Sequence, residues 1–171
     1  IAVVLIGASC EKIWRDFEPV DGPPEASIAP LDHGLLYADG IFEGIRCYPG
    51  RTRGLRVFKL RSHLKRLFDG IRVLRLNGWT EDGGQGSFPY TVQEFEEIIR
   101  RTVAIVSNEY EAERGKLASA SALGLWPPYV RVVVTRGVGD LGLAPWNCKK
   151  PSILIICGAL NFFADRESED Q

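Results

Sequence analysis

The chain has 171 residues, 45% hydrophobic and 25% charged, with a formal net charge of -1 and a sequence pI near 6.2. That length holds one domain with a real core, or one domain and the start of another, and the composition excludes extended disorder. The near-neutral balance gives no electrostatic footing for nucleic acid or an anionic membrane as partner, and the apolar run Ile1 to Ile6 is too short to cross a bilayer. With no methionine, even at position 1, the sequence is expected to be a piece of a longer product. The expected location is cytoplasmic, or organellar if a targeting segment precedes Ile1.

Ile1 to Lys12, apolar and then polar, followed by Trp14 and the Pro/Gly-rich VDGPPEASIAP, reads as a strand or two leading into a loop. Ile41 to Tyr48 is β-branched and aromatic between Asp39-Gly40 and Pro49-Gly50, and Leu55 to Leu60 follows at hairpin distance, so two antiparallel strands are predicted. Leu64, Leu67, Phe68, Ile71 and Leu74 recur at helical spacing, with Arg61, Lys65, Arg72 and Arg75 on the other face and Ser62 as the expected cap. After the glycine-rich loop TEDGGQGSFP, Thr91 and Glu94 form a capping-box pair. Val92, Phe95, Ile98, Ile99, Thr102, Val103 and Val106 then supply the buried stripe of a second helix.

The stretch from about 109 to 128 reads as an irregular excursion, long for a compact domain. Tyr129 to Thr135 is a strand, RGVGDLGLAP is turn chemistry, and the continuous apolar run Ser152 to Cys157 predicts a strand buried on both faces. This order predicts an α+β domain, an antiparallel sheet with two helices on one face. Cys10, Cys47, Cys148 and Cys157 are widely spaced, with no CxxC pair and two histidines in the chain, so they are expected as reduced, small apolar residues and no metal site is expected.

Side chains alternate along a strand, so Phe42, Gly44, Arg46 and Tyr48 share one face while Ile41, Glu43, Ile45 and Cys47 share the other. A mid-strand glycine beside an arginine suits close approach by a ligand, and equally suits the solvent side of an edge strand. In the later strand Tyr129 and Arg131 share a face. Two strands each presenting an aromatic and an arginine can build a carboxylate clamp, because guanidinium pairs bidentately with carboxylate and tyrosine adds a neutral donor. His63 and Arg66 are neighbours on one helix face; the pattern fits a surface pair or, beside a cleft, a phosphate site.

The run LDHGLLYADGIFEGIRCY, then VFKLRSHLKRLFDGIRVL, then YVRVVVTRGVGDLGLAP and a strand after KKPS, resembles the fold-type IV pyridoxal-phosphate (PLP) enzymes in the same order. These are the branched-chain aminotransferases, D-amino-acid aminotransferases and aminodeoxychorismate lyases. The resemblance runs from about Trp14 to about Ala159, poorest in the two irregular stretches, and is nearest to the amino-terminal portion of branched-chain aminotransferases. FEGIRCY and GVGDLGLAP carry that leaning. The Arg-x-His carboxylate trap of D-amino-acid aminotransferases has no counterpart between Arg136 and Pro145.

The resemblance implies the small amino-terminal domain of the D-amino-acid-aminotransferase-like fold over residues 1–150, with 151–171 beginning a second domain. It implies pyridoxal 5'-phosphate as cofactor, with Arg66 on its phosphate. It implies substrate contacts from Tyr37, Phe42, Gly44, Arg46, Tyr129 and Arg131, and a structural role for His63. Asp39 and Glu43 belong to the motif without a derivable role.

The reaction implied is transamination of branched-chain L-amino acids with 2-oxoglutarate, with small-molecule amino and 2-oxo acids as partners, in a homodimer. The family's Schiff-base lysine follows the strand matched by Ser152 to Cys157. Lys149 and Lys150 precede that strand and do not match its motif, so these residues alone are expected to be inactive. The alternatives are a D-amino-acid aminotransferase, an aminodeoxychorismate lyase-like enzyme, or a non-catalytic binding domain of the same fold.

Overall fold

The computed structural model describes residues 3–6, 13–15, 18–20, 28–51, 54–116 and 128–158. Cys10, residues 117–127 and the acidic tail lie outside the described residues. Strands β1 (Val3–Ile6), β2 (Ile13–Arg15), β3 (Glu18–Val20), β4 (Gly40–Pro49), β5 (Leu55–Val57), β6 (Tyr129–Thr135) and β7 (Ser152–Gly158) form one sheet in the order β3-β2-β1-β7-β6-β4-β5. All pairings are antiparallel except β1 with β7. Helices α1 (His33–Tyr37), α2 (Leu60–Leu74) and α3 (Val92–Lys116) complete the described elements, with a single 3-10 turn at Pro145–Asn147.

The alternation in β4 and β6 decides which side is core. Ile45 and Cys47 of β4, Val130, Val132 and Val134 of β6, and Ile153, Ile155 and Cys157 of β7 are buried. They pack against Leu60, Leu64, Leu67 and Ile71 of α2 and Phe95, Ile98, Ile99, Val103 and Val106 of α3. Both long helices thus lie on one face of a mixed but largely antiparallel sheet, the arrangement expected of an apolar stripe packing on one sheet face.

Local details depart from the sequence reading. Ser62 does not cap α2; it sits exposed inside the first turn. The chain enters through Lys59 in the left-handed region (φ 44°), whose carbonyl accepts from the Ser62 amide at 3.0 Å. The cap of α3 is as expected, since the Glu94 amide donates to Thr91 Oγ1 at 3.2 Å and the Thr91 amide to Glu94 Oε2 at 2.7 Å. That helix runs on to Lys116, so 109–116 is helical rather than irregular; its Glu, Ala and Arg content favours helix without an apolar stripe to signal it. β7 is buried on one face only: Leu154 and Ile156 stay partly exposed because no described element covers the outer side.

Candidate functional site

The outer face of the sheet, opposite the helices, gathers five of the residues singled out from the sequence. Phe42, Gly44 and Arg46 of β4 lie across from Val133, Arg131 and Tyr129 of β6 respectively. Arg131 stacks its guanidinium over the Phe42 ring at 4.4 Å and over the Tyr129 ring at 5.5 Å. A Cβ on Gly44 would lie 2.8 Å from Tyr129 Cζ and overlap the hydroxyl, so the missing side chain is what lets the tyrosine ring lie over the strand. Phe42 is 62% exposed. The face therefore presents a guanidinium held between two rings, with a second arginine diagonal to it, suited to an anionic, partly apolar ligand.

Tyr37 stands apart from this group. It closes α1, where Asp32 caps the helix by accepting from the Gly34 amide at 2.8 Å. Its hydroxyl donates to the Leu141 carbonyl at 2.5 Å and its ring meets His33 edge-on. These contacts tie α1 to the loop after β6, which is further held by Asp32, a fully buried acceptor for Thr135 Oγ1 at 3.0 Å and Ser152 Oγ at 2.6 Å.

Arg66 lies on the helix side. Its Nε donates to Glu43 Oε1 at 2.6 Å and its Nη2 to Glu43 Oε2 at 2.7 Å, while His63 Nδ1 sits 2.8 Å from Oε2. Burial pushes the Glu43 carboxyl up, but hydrogen bonds from Arg66 and then His63 outweigh it and hold it below the ordinary glutamate value. The Arg66 side chain is 69% exposed, and among the described residues none hydrogen-bonds Nη1. An exposed guanidinium with donors to spare fits the phosphate end of PLP. Among the described lysines, Lys65 pairs with Asp69, Lys59 lies over Phe58, and Lys149 faces Glu81 at 3.9 Å.

Two partners went unread in the sequence. Glu43 falls on the inward set Ile41, Glu43, Ile45 and Cys47, and a carboxylate in an apolar row demands a buried cation partner; that was the available signal. Arg136 carried none. It is 8% exposed, pairs bidentately with Asp39 at 2.7 and 3.0 Å, and donates to the Leu74 and Arg75 carbonyls at the end of α2. Asp39 thus has a structural role.

Comparison with known proteins bears out the resemblance. No family model matches. A Methanocaldococcus jannaschii protein provisionally named branched-chain-amino-acid aminotransferase is 38% identical over 145 residues, 85% of this chain and 39% of its own length. Among solved structures, a Thermoproteus uzoniensis branched-chain aminotransferase crystallised with norvaline is 25% identical with a TM-score of 0.58, over 87% of this chain and 40% of that one. A branched-chain amino acid aminotransferase from T.th., complexed with N-(5'-phosphopyridoxyl)-L-glutamate, shares the fold with a TM-score of 0.60 at 24% identity, over 90% and 42%. The chain spans about two-fifths of the length of these proteins.

Proposed function

The chain is homologous to branched-chain aminotransferases over part of their length, and from that premise we propose that it supplies the phosphate arginine and one substrate wall of a PLP-dependent transaminase. The reaction is transfer of an amino group between a branched-chain L-amino acid and 2-oxoglutarate. The observation that carries this reading is the outer face, where Arg131, stacked on Phe42 and Tyr129, lies in register with Gly44.

PLP, when bound, supplies the electron sink for the reaction. On this reading Arg66 binds its phosphate. Arg131 and Arg46 attract the substrate carboxylate, Phe42 and Tyr129 line the aliphatic side chain, and Gly44 makes room for the Tyr129 ring to lie over the strand. Tyr37 holds the loop at Leu141 to α1. The amino-terminal domain takes in β7, which shares its core through Ile153, Ile155 and Cys157, and the chain leads from there into a second domain; the assembled enzyme is a homodimer.

Because no lysine here matches the family motif, the 171 residues alone are inactive. Incubation with PLP, L-leucine and 2-oxoglutarate should yield no glutamate, whereas turnover would overturn this. The site assignment is tested by fluorescence titration with pyridoxamine 5'-phosphate against phosphate-free pyridoxamine. The phosphate ester should bind more tightly, and Arg66→Ala should abolish the difference; an unchanged difference overturns the cofactor role of Arg66.

A further inference from the structure

Glu43 is the one acid among the inward residues of β4, 6% exposed beside Ile45 and Cys47 in the core. A carboxylate held there must be fully engaged, or it would cost more than the fold gains from the strand. Its partners all come from one helix: His63 and Arg66, one turn apart on α2. With His63 donating from Nδ1, both carboxylate oxygens are occupied and the ring cannot also accept from Arg66, so the 3.3 Å approach of Nη2 to Nδ1 is proximity alone.

Guanidinium carries five N–H bonds in a rigid plane. Glu43 takes one on Nε and one on Nη2, which fixes that plane and leaves the two on Nη1 and one on Nη2 not used by Glu43. Among the described residues β5 pairs with Cys47–Pro49 and leaves the first half of β4 uncovered on that side; the Arg66 side chain is 69% exposed, so its guanidinium is reachable from solvent.

We propose that Glu43 is the positioning residue of the anion site: by gripping Arg66 along its Nε–Nη2 edge and bracing His63, it presents the remaining guanidinium donors to a phosphate monoester in one fixed orientation. This rests on the reading of Arg66 as the phosphate ligand. It runs against simple charge counting, which expects removal of an anion beside Arg66 to tighten phosphate binding. Preorganisation expects the reverse, because a released arginine must be ordered anew on each binding event.

The test uses the full chain and pyridoxamine 5'-phosphate, with pyridoxamine as the phosphate-free control. Glu43→Gln should weaken the phosphate-dependent part of binding about tenfold, the lower end of what loss of a supporting group costs a metal site, with the phosphate-free control unmoved. Binding that is unchanged or tighter in Glu43→Gln, while Arg66→Ala abolishes it, overturns the positioning role and leaves the arginine assignment standing. No phosphate-dependent binding, or binding indifferent to Arg66→Ala, overturns both.

Should Glu43→Gln not fold, the Arg66 Nε–H resonance of the unsubstituted chain decides, assigned by its disappearance in Arg66→Lys. A signal protected from solvent exchange that shifts on adding pyridoxamine 5'-phosphate supports the proposal. Exchange as fast as that of free arginine in the same buffer overturns it.

Discussion

Tyr129 lies over Gly44, two residues along the neighbouring strand from the residue directly opposite it, and occupies the space a β-carbon would need. Such diagonal neighbours are within reach only of large side chains. Gly44→Ala should therefore swing the Tyr129 ring outward and separate it from Arg131. Stability should change by less than about 1 kcal/mol, since alanine is also the better strand residue and the displaced group is a side-chain tip. Tyrosine ring chemical shifts should report the movement, while urea midpoints stay close to those of the unsubstituted chain.

Arg131 makes ring contacts on a half-exposed face and, among the described residues, no buried ion pair. Replacing it with alanine should cost less than about 1 kcal/mol of stability, in line with exposed cation–π contacts. In the active enzyme the same change should raise the substrate KM far more than it lowers the melting temperature. Parallel losses in both would mark a structural arginine instead.

Arg136 should behave in the opposite way. It holds Asp39 and the last carbonyls of α2 from an almost fully buried position, so alanine there strands several groups at once. The expected loss is about 2–3 kcal/mol, below that of a fully buried pair because Asp39 remains partly hydrated. Urea denaturation would read it directly, and Asp39→Asn should lose less, since the helix carbonyls keep their donor.

Acid should act through Glu43. Its folded carboxyl is held below the ordinary value of 4.5, so its stabilising contribution is complete above that value and fades as the pH falls through the folded one. Melting temperatures taken from pH 7 down to pH 3 should drop more steeply for the unsubstituted chain than for Glu43→Gln, which has no carboxyl there to protonate. Matching slopes would show that other acids govern the acid transition.

Burial raises the thiols of Cys47 and Cys148 to about 11. Both should stay unalkylated by iodoacetamide at pH 8 in the folded chain and react fully in denaturant, as peptide mass mapping would show.

The period-2 pattern of β4 and β6 was readable because each strand buries one face, which separates Phe42, Gly44 and Arg46 from Ile45 and Cys47 without reference to any neighbour. What the pattern could not state is that the two strands adjoin in a register setting Gly44 opposite Arg131, since the two are far apart in sequence and no single tight turn between them fixes the pairing. The start of α2 was misplaced for a related reason: Ser62 has ideal capping chemistry, but the backbone turn at Lys59 starts the helix earlier. The helix pattern left Arg66 open between a surface pair and a phosphate site, the family motif favoured the second, and its partner Glu43 was legible only as an unexplained acid. Arg136 left no trace because its acceptors are main-chain carbonyls, which every sequence has.

The position of β7 has a consequence for the order in which this sheet can form. β1, with β2 and β3 behind it, reaches the rest of the sheet solely through β7, Val3 pairing with Ile153 and Ile6 with Ile156. The strands β1 to β3 emerge before β7 in synthesis and must wait, the β1 edge unpaired, until nearly the whole described chain has followed. Closing so long a loop is slow, so a chain halted before residue 152 would leave an open strand edge at each end, prone to pair with other molecules rather than with itself.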